Sequence, residues 1–227
     1  MKIESVLGDN IGYVHMLDHM GDDAEIVRRA RVCYQSQEKS TPESDARLLK
    51  KLVSSKPLHG TTLRVVVFTF DIVLPLFVMR QWTRSVVGHE YHVAEYVGAD
   101  SFDISAAYDE QSFRYTEPDK FYNPFAQSND SNLNSLWIQA QRGMMSCYRE
   151  MRSQGVDKQL ARCFVPQSVY TQMTWTVNAQ ACLDFLSKRL PGGGAQSETA
   201  KYAEAVLRCV RAIIPETVKI WESEGDK

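Results

Sequence analysis

Asp109-Glu110-Gln111-Ser112-Phe113-Arg114-Tyr115 sets a carboxylate, a hydroxyl, an arginine and an aromatic ring within seven residues, then runs into Pro118 and Pro124. Arginine offers a rigid fork of donors matched to phosphate or carboxylate. Glu110 and Ser112 can read a polar ring, and Tyr115 can stack or donate. A polar, aromatic segment between turn-formers suits a small anionic ligand. Taken alone, the same seven residues also describe a solvated loop, so their meaning depends on what surrounds them.

The surroundings begin with composition. The 227 residues, 44% of them hydrophobic, suffice for one large domain with a substantial core. A formal net charge of -2 with interspersed signs predicts no general attraction to nucleic acid or to an anionic membrane. Cys33, Cys147, Cys163, Cys182 and Cys209 are widely spaced and form no C-x-x-C pair. That usage predicts reduced, mostly buried thiols in a cytoplasmic protein, with neither a disulfide framework nor a metal site. No basic start followed by an apolar run marks a secretory signal. The longest apolar run, Val65 to Met79, is too short to span a bilayer and is broken by Asp71 and Pro75.

Periodicity supplies the elements. Met1 to Val6 reads as a strand closed by Gly8-Asp9-Asn10. Asp23 to Gln35 reads as a helix with Ile26, Ala30 and Cys33 on one face, and Thr41-Pro42 opens another through Val53 with Leu48, Leu49 and Leu52 inward. Leu63 to Val73 has the β-branched and aromatic content of a buried strand, and Leu76 to Arg84 a helix after Pro75. Further helices are predicted at Asn132–Ser153, Lys158–Phe164, Ala179–Arg189 and Ala195–Ile214, with a strand at Ser168–Val177. The mixture predicts a single α+β domain over residues 1–227, a mixed sheet flanked by helices.

The order of these segments resembles a known family. Phe77-Val78-Met79-Arg80-Gln81-Trp82-Thr83-Arg84 is similar to the opening of the signature of flavin-dependent thymidylate synthases. Ser105 to Tyr115, followed by Pro118-Asp119-Lys120-Phe121-Tyr122, resembles its remainder. Ala161-Arg162-Cys163-Phe164-Val165-Pro166 and Tyr170 to Ala179 resemble a second block, continued by Asp184-Phe185-Leu186, Arg189 and Ala195-Gln196. His59-Gly60-Thr61 before the strand also fits. Ordered blocks from Cys33 to Tyr202 are far less easily met by chance than one motif.

The resemblance implies an enzyme that methylates C5 of a uridine nucleotide, UMP or dUMP, with FAD as cofactor. Methylenetetrahydrofolate and NADPH would be the co-substrates. It implies a homotetramer with shared active sites and the fold of that family. It places Gln81, Arg84, Glu110, Ser112, Phe113, Arg114, Arg162 and Arg189 at the nucleotide, with Glu110, Ser112 and Arg189 as the catalytic set. His59, Thr61, Arg84, Asn178, Gln180 and Asp184 would line the flavin. The residue types suit those tasks: Arg114 and Arg162 for a phosphate, and Arg189 for charge developing on the uracil carbonyls. The flavin carries the electron chemistry, so Ser112 positions substrate rather than attacking it. Bland readings exist beside these. Arg162 and Arg189 can serve helix ends, Asn178 can cap the next helix, and Arg80, Trp82, Tyr115 and Tyr122 can simply pack.

Several positions depart from the family pattern. Arg84 is followed by Ser85-Val86 where Arg-His-Arg is usual, and an insertion, Val87 to Ile104, separates it from the Glu110 core. The insertion carries His89-Glu90-Tyr91-His92, one residue short of a zincin spacing, and reads as a lid. Asp109 stands where Asn is usual, Arg64 where Glu is frequent, Gln180 where Arg is common, and Asp184 where Asn is common. Gly192-Gly193-Gly194 replaces a shorter link that carries a histidine. These departures point to a specialised member, resembling the uridylate C5-methylase of polyoxin-type antibiotic pathways. The alternatives are a thymidylate synthase for DNA precursors, a C5 hydroxymethylase, and an inactive flavin- or nucleotide-binding paralogue.

Overall fold

The computed structural model describes residues 1–33, 35–55, 60–86 and 106–225, with only the backbone described at 84–86, 106–108 and 225. His59 and the 87–104 insertion, with its histidines, therefore lie outside the described residues.

Strand β3 (Val67–Pro75) is the spine of the sheet. Phe68, Phe70, Ile72 and Leu74 alternate onto one face and are fully buried, while Thr69, Asp71 and Val73 take the other. Strand β5 (Tyr170–Asn178) pairs with it along its whole length and sends Met173, Trp175 and Val177 to the same buried face. Strands β1 (Lys2–Glu4), β2 (Tyr13–Met20) and β4 (Ala106–Glu110) complete the order β1-β2-β3-β5-β4. Every strand pairing among the described residues is antiparallel, so the mixed sheet expected from sequence is corrected to an antiparallel one. An antiparallel sheet can leave one face polar. On that face Asp71 accepts from Tyr13 Oη at 2.8 Å and from Gln172 Nε2 at 2.7 Å.

Among the described residues the helices are α1 (Asp23–Cys33), α2 (Pro42–Val53), α3 (Gly60–Leu63), α4 (Leu76–Val86), α5 (Ser131–Ser153), α6 (Lys158–Ala161), α7 (Ala179–Arg189), α8 (Ser197–Ile213) and α9 (Pro215–Gly225). A capping box fixes the start of α2, with Thr41 and Ser44 exchanging side-chain and backbone bonds. The main core joins the apolar sheet face to α1, α2, α4, α7, α8 and α9. At its centre Trp82 lies edge-on to Trp175 at 5.1 Å and against Phe185 at 4.4 Å.

A second, smaller core holds Phe113, Met145, Tyr148, Ala161, Val165 and Val169. It binds the loop after β4 to α5 and α6. Trp137 Nε1 and Gln141 Nε2 both donate to the Tyr122 carbonyl, at 3.1 and 3.0 Å, which fastens the returning loop to α5.

Several expectations are corrected. Strand β2 is additional to the strands expected from sequence, with Val14 and Met16 buried between outward-facing neighbours. The strand expected from Leu63 begins at Val67, because Gly60–Leu63 closes a helical turn first. Only Cys182 and Cys209 are buried; Cys33, Cys147 and Cys163 are exposed, Cys33 lying beyond the buried stripe of α1. Tyr115 does not pack but stands in solvent, with the Arg114 guanidinium 5.2 Å from its ring centre.

Candidate functional site

Helix α4 sorts its residues onto three sides. Val78, Met79 and Trp82 enter the main core. Leu76 and Arg80, one turn apart, face a cleft. Gln81 turns toward α8. The entry of α4 is clamped to the chain before β5, since Leu76 N donates to Val169 O at 2.8 Å and Phe77 N to Gln167 O at 3.1 Å.

The cleft has a volume of about 760 Å³. Its walls include Arg80 of α4, Glu110 at the end of β4, Ser112, Phe113 and Arg114 of the following turn, and Arg162 with Cys163 after α6. Three arginines and one glutamate thus line the cleft, an excess of positive charge suited to a phosphate dianion. The Ser112 turn is tightly made: its carbonyl accepts from Tyr115 N at 3.0 Å and Thr116 N at 3.2 Å. Ser112 Oγ accepts from Arg114 N at 3.3 Å and, at 3.4 Å, from Arg114 Nε. Phe113 is 8% exposed and roots this turn in the smaller core. It touches the cleft as an anchor, with its ring committed to packing.

Glu110 accepts from Thr171 Oγ1 at 3.1 Å. Withdrawal from water at the cleft wall raises its pKa, and the Thr171 bond with the Arg80 and Arg162 charges offsets this only in part. The unfolded carboxyl titrates at the ordinary value and the folded one above it. Between the two the folded protein holds the extra proton, so this group's contribution to stability falls as pH rises through that window. The loss is complete above the folded pKa. Glu110→Gln is therefore expected to raise the Tm at neutral pH and to flatten its dependence on mildly acidic pH. Thermal melts of both proteins across that range check it; an unchanged profile contradicts the assignment.

Two further groups of expected residues lie outside the cleft lining. Arg189 Nη2 donates to the Gln81 carbonyl at 2.9 Å, while the Gln81 amide donates to Gln196 Oε1 at 2.8 Å and accepts from the buried Thr199 at 3.2 Å. The third group joins α3 to α7. Asn178 caps α7, accepting from Ala181 N at 2.9 Å; Gln180 accepts from Arg64 Nε at 2.7 Å; and Asp184 pairs with Lys188 at 2.6 Å. Thr61 is exposed on the α3 turn.

The structure thus unites Glu110, Ser112, Phe113, Arg114 and Arg162. It adds Arg80, whose expected packing role gives way to a place on the cleft wall. The signal was present: Arg80 lies opposite the apolar stripe of α4 and one turn from Leu76. Among the described residues no cluster of three or more His, Cys, Asp or Glu could hold a metal. Among them, too, no helix is long and apolar enough to cross a membrane.

Comparison with known proteins finds consistent relatives. The family profile described as "Thymidylate synthase complementing protein" matches residues 15–216. A flavin-dependent thymidylate synthase of Pseudothermotoga lettingae is 31% identical over 221 residues, covering 95% of this chain and 93% of its own. One from Thermus thermophilus is 31% identical over 204 residues, covering 90% and 73%. Among solved structures, the UMP/dUMP methylase PolB of Streptomyces cacaoi, bound with 5-Br dUMP, superposes with a TM-score of 0.78. It is 22% identical and covers 94% of this chain and 96% of its own.

Proposed function

The chain belongs to the flavin-dependent thymidylate synthase family, and from that premise we propose that it methylates C5 of a uridine monophosphate, UMP or dUMP. FAD is the cofactor, methylenetetrahydrofolate the one-carbon donor and NADPH the reductant. The observation that carries this reading is the arginine-lined cleft beside Glu110 and Ser112. Arg80, Arg114 and Arg162 offer donors for the phosphate, and Glu110 with Ser112 can address the edge of a pyrimidine.

The residues fit a flavin as well. Thr61, Asn178, Gln180 and Arg64 line a polar seam between α3 and α7, a donor set suited to the anionic part of FAD. Bound FAD supplies hydride chemistry, and the chain's residues bind, orient and exclude water. Arg189, steadied on the Gln81 carbonyl, is the group for charge developing on a uracil oxygen.

The Gln81–Arg189 and Thr61–Gln180 groups lie apart from the cleft lining, which suits a homotetramer whose neighbouring subunits complete each site. Helix α5 supports such contacts, for Leu133, Leu136, Met144 and Met151 are all exposed along it. The need for NADPH and a reduced folate supports a cytoplasmic location.

The test is steady-state kinetics on UMP and dUMP with FAD, NADPH and methylenetetrahydrofolate. Comparable kcat/KM values fit a role in modified-nucleoside synthesis, and strong preference for dUMP fits DNA-precursor synthesis. Turnover of neither nucleotide overturns the reading.

A further inference from the structure

Glu110 enters the cleft with its backbone already fixed. It ends β4 opposite Met173 of β5, and the next amide, Gln111 N, donates to Gln172 O at 2.8 Å. Side chains alternate along β5, so Thr171 and Met173 share the face that Glu110 uses, while Gln172 turns to the other. Thr171 is thus the diagonal neighbour of Glu110 across the ladder, within reach of a long side chain. Its hydroxyl donates to Glu110 Oε1 at 3.1 Å.

Thr171 is 1% exposed, and a hydroxyl buried to that degree needs a partner. Glu110 supplies it. With Oε1 so engaged, Oε2 is the oxygen left for a ligand. Ionised, Oε2 accepts from a hydroxyl or a ring N–H. Protonated, the carboxyl keeps its proton on Oε2, because Oε1 serves Thr171 as acceptor, and it donates to a carbonyl. Either way a single atom of the ligand is read.

We propose that Thr171 is a positioning residue of the nucleotide site, holding Glu110 by one carboxyl oxygen so that the other alone meets the ligand. This rests on the nucleotide reading of the cleft. The charged groups around Glu110 are Arg80 from α4 and Arg162 from the turn after α6. Arg114 and Cys163 line the same cleft, while Asp109 alternates onto the opposite face of β4. Withdrawal from water raises the Glu110 pKa, and the Thr171 hydroxyl is the largest of the contacts that pull it back.

Thr171→Val tests the proposal, since it keeps a β-branched side chain of similar shape and removes only the donor. Thr171→Ser is the converse control, keeping the hydroxyl and losing the methyl. The dissociation constant for dUMP is read by calorimetry from mildly acidic to neutral pH for both variants, the wild type and Glu110→Gln. The part of the wild-type profile that vanishes in Glu110→Gln belongs to this carboxyl, whereas the second ionisation of the nucleotide phosphate persists in every protein. In Thr171→Val the expected result is dUMP binding weakened about threefold to tenfold at neutral pH. The Glu110 inflection is expected to move to higher pH there, because the ionised carboxyl has lost a donor. Thr171→Ser is expected to retain the wild-type affinity and inflection. An unmoved inflection in Thr171→Val, or an equal loss in Thr171→Ser, overturns the proposal. A wild-type protein that binds no dUMP defeats the nucleotide reading itself.

Discussion

Arg162→Ala is expected to raise the KM for the uridine nucleotide about tenfold to a hundredfold, with a smaller change in kcat. The guanidinium lies on the cleft wall with Arg80 and Arg114, opposite Glu110. A hydrogen bond to a charged group contributes about 1.5–3 kcal/mol, which corresponds to that range of affinity. The loss falls on KM because a phosphate remote from the reacting carbon binds equally in the ground and transition states. Arg162→Lys keeps charge but not the two-pronged geometry, so partial recovery is expected. Initial-rate kinetics at fixed salt decide it, and an unchanged KM in Arg162→Ala removes this residue from the phosphate site.

Phe113→Ala is expected to abolish measurable nucleotide binding while sparing the main core. Removing a buried phenylalanine ring costs about 3–5 kcal/mol, and among the described residues the smaller core has Phe113, Met145, Tyr148, Ala161, Val165 and Val169 as its buried members. A cluster that small cannot absorb such a loss without releasing the turn that carries Ser112 and Arg114. The main core shares none of those six residues. Global unfolding should therefore change less than local opening does. Amide exchange is expected to speed up selectively through the Gln111–Tyr122 stretch, and Phe113→Leu to restore most binding. Uniformly faster exchange across both cores would contradict a local role.

Much of this was legible in the sequence because local signals agreed. Thr41-Pro42 announced the start of α2, and Asn178 announced both the end of β5 and the cap of α7. The alternation of Phe68, Phe70 and Ile72 marked the sheet spine. The unread parts depended on partners distant in sequence. Strand β2 is interrupted by a bulge between Met16 and Asp18 that exposes Leu17 and breaks its alternation. Strand directions follow from pairings such as Asp71 with Thr174, which no window of local sequence contains.

The site shows the same division. Glu110, Ser112 and Arg114 form a compact motif and were found together. Arg80 had to be judged by the face of α4 it occupies, and the side of Phe113 by a core built from α5 and α6. The Arg64–Gln180 bond could be read only as two unrelated departures until the fold joined them.

The most direct test of the central claim supplies the full-length protein with FAD, NADPH and methylenetetrahydrofolate deuterated in its methylene group, with UMP or dUMP as acceptor. Mass analysis is expected to show a nucleotide that has gained a C5-methyl group retaining both deuterons, formed only when FAD is present. A nucleotide unchanged in mass, or a product formed equally well without FAD, would contradict flavin-dependent uridylate methylation.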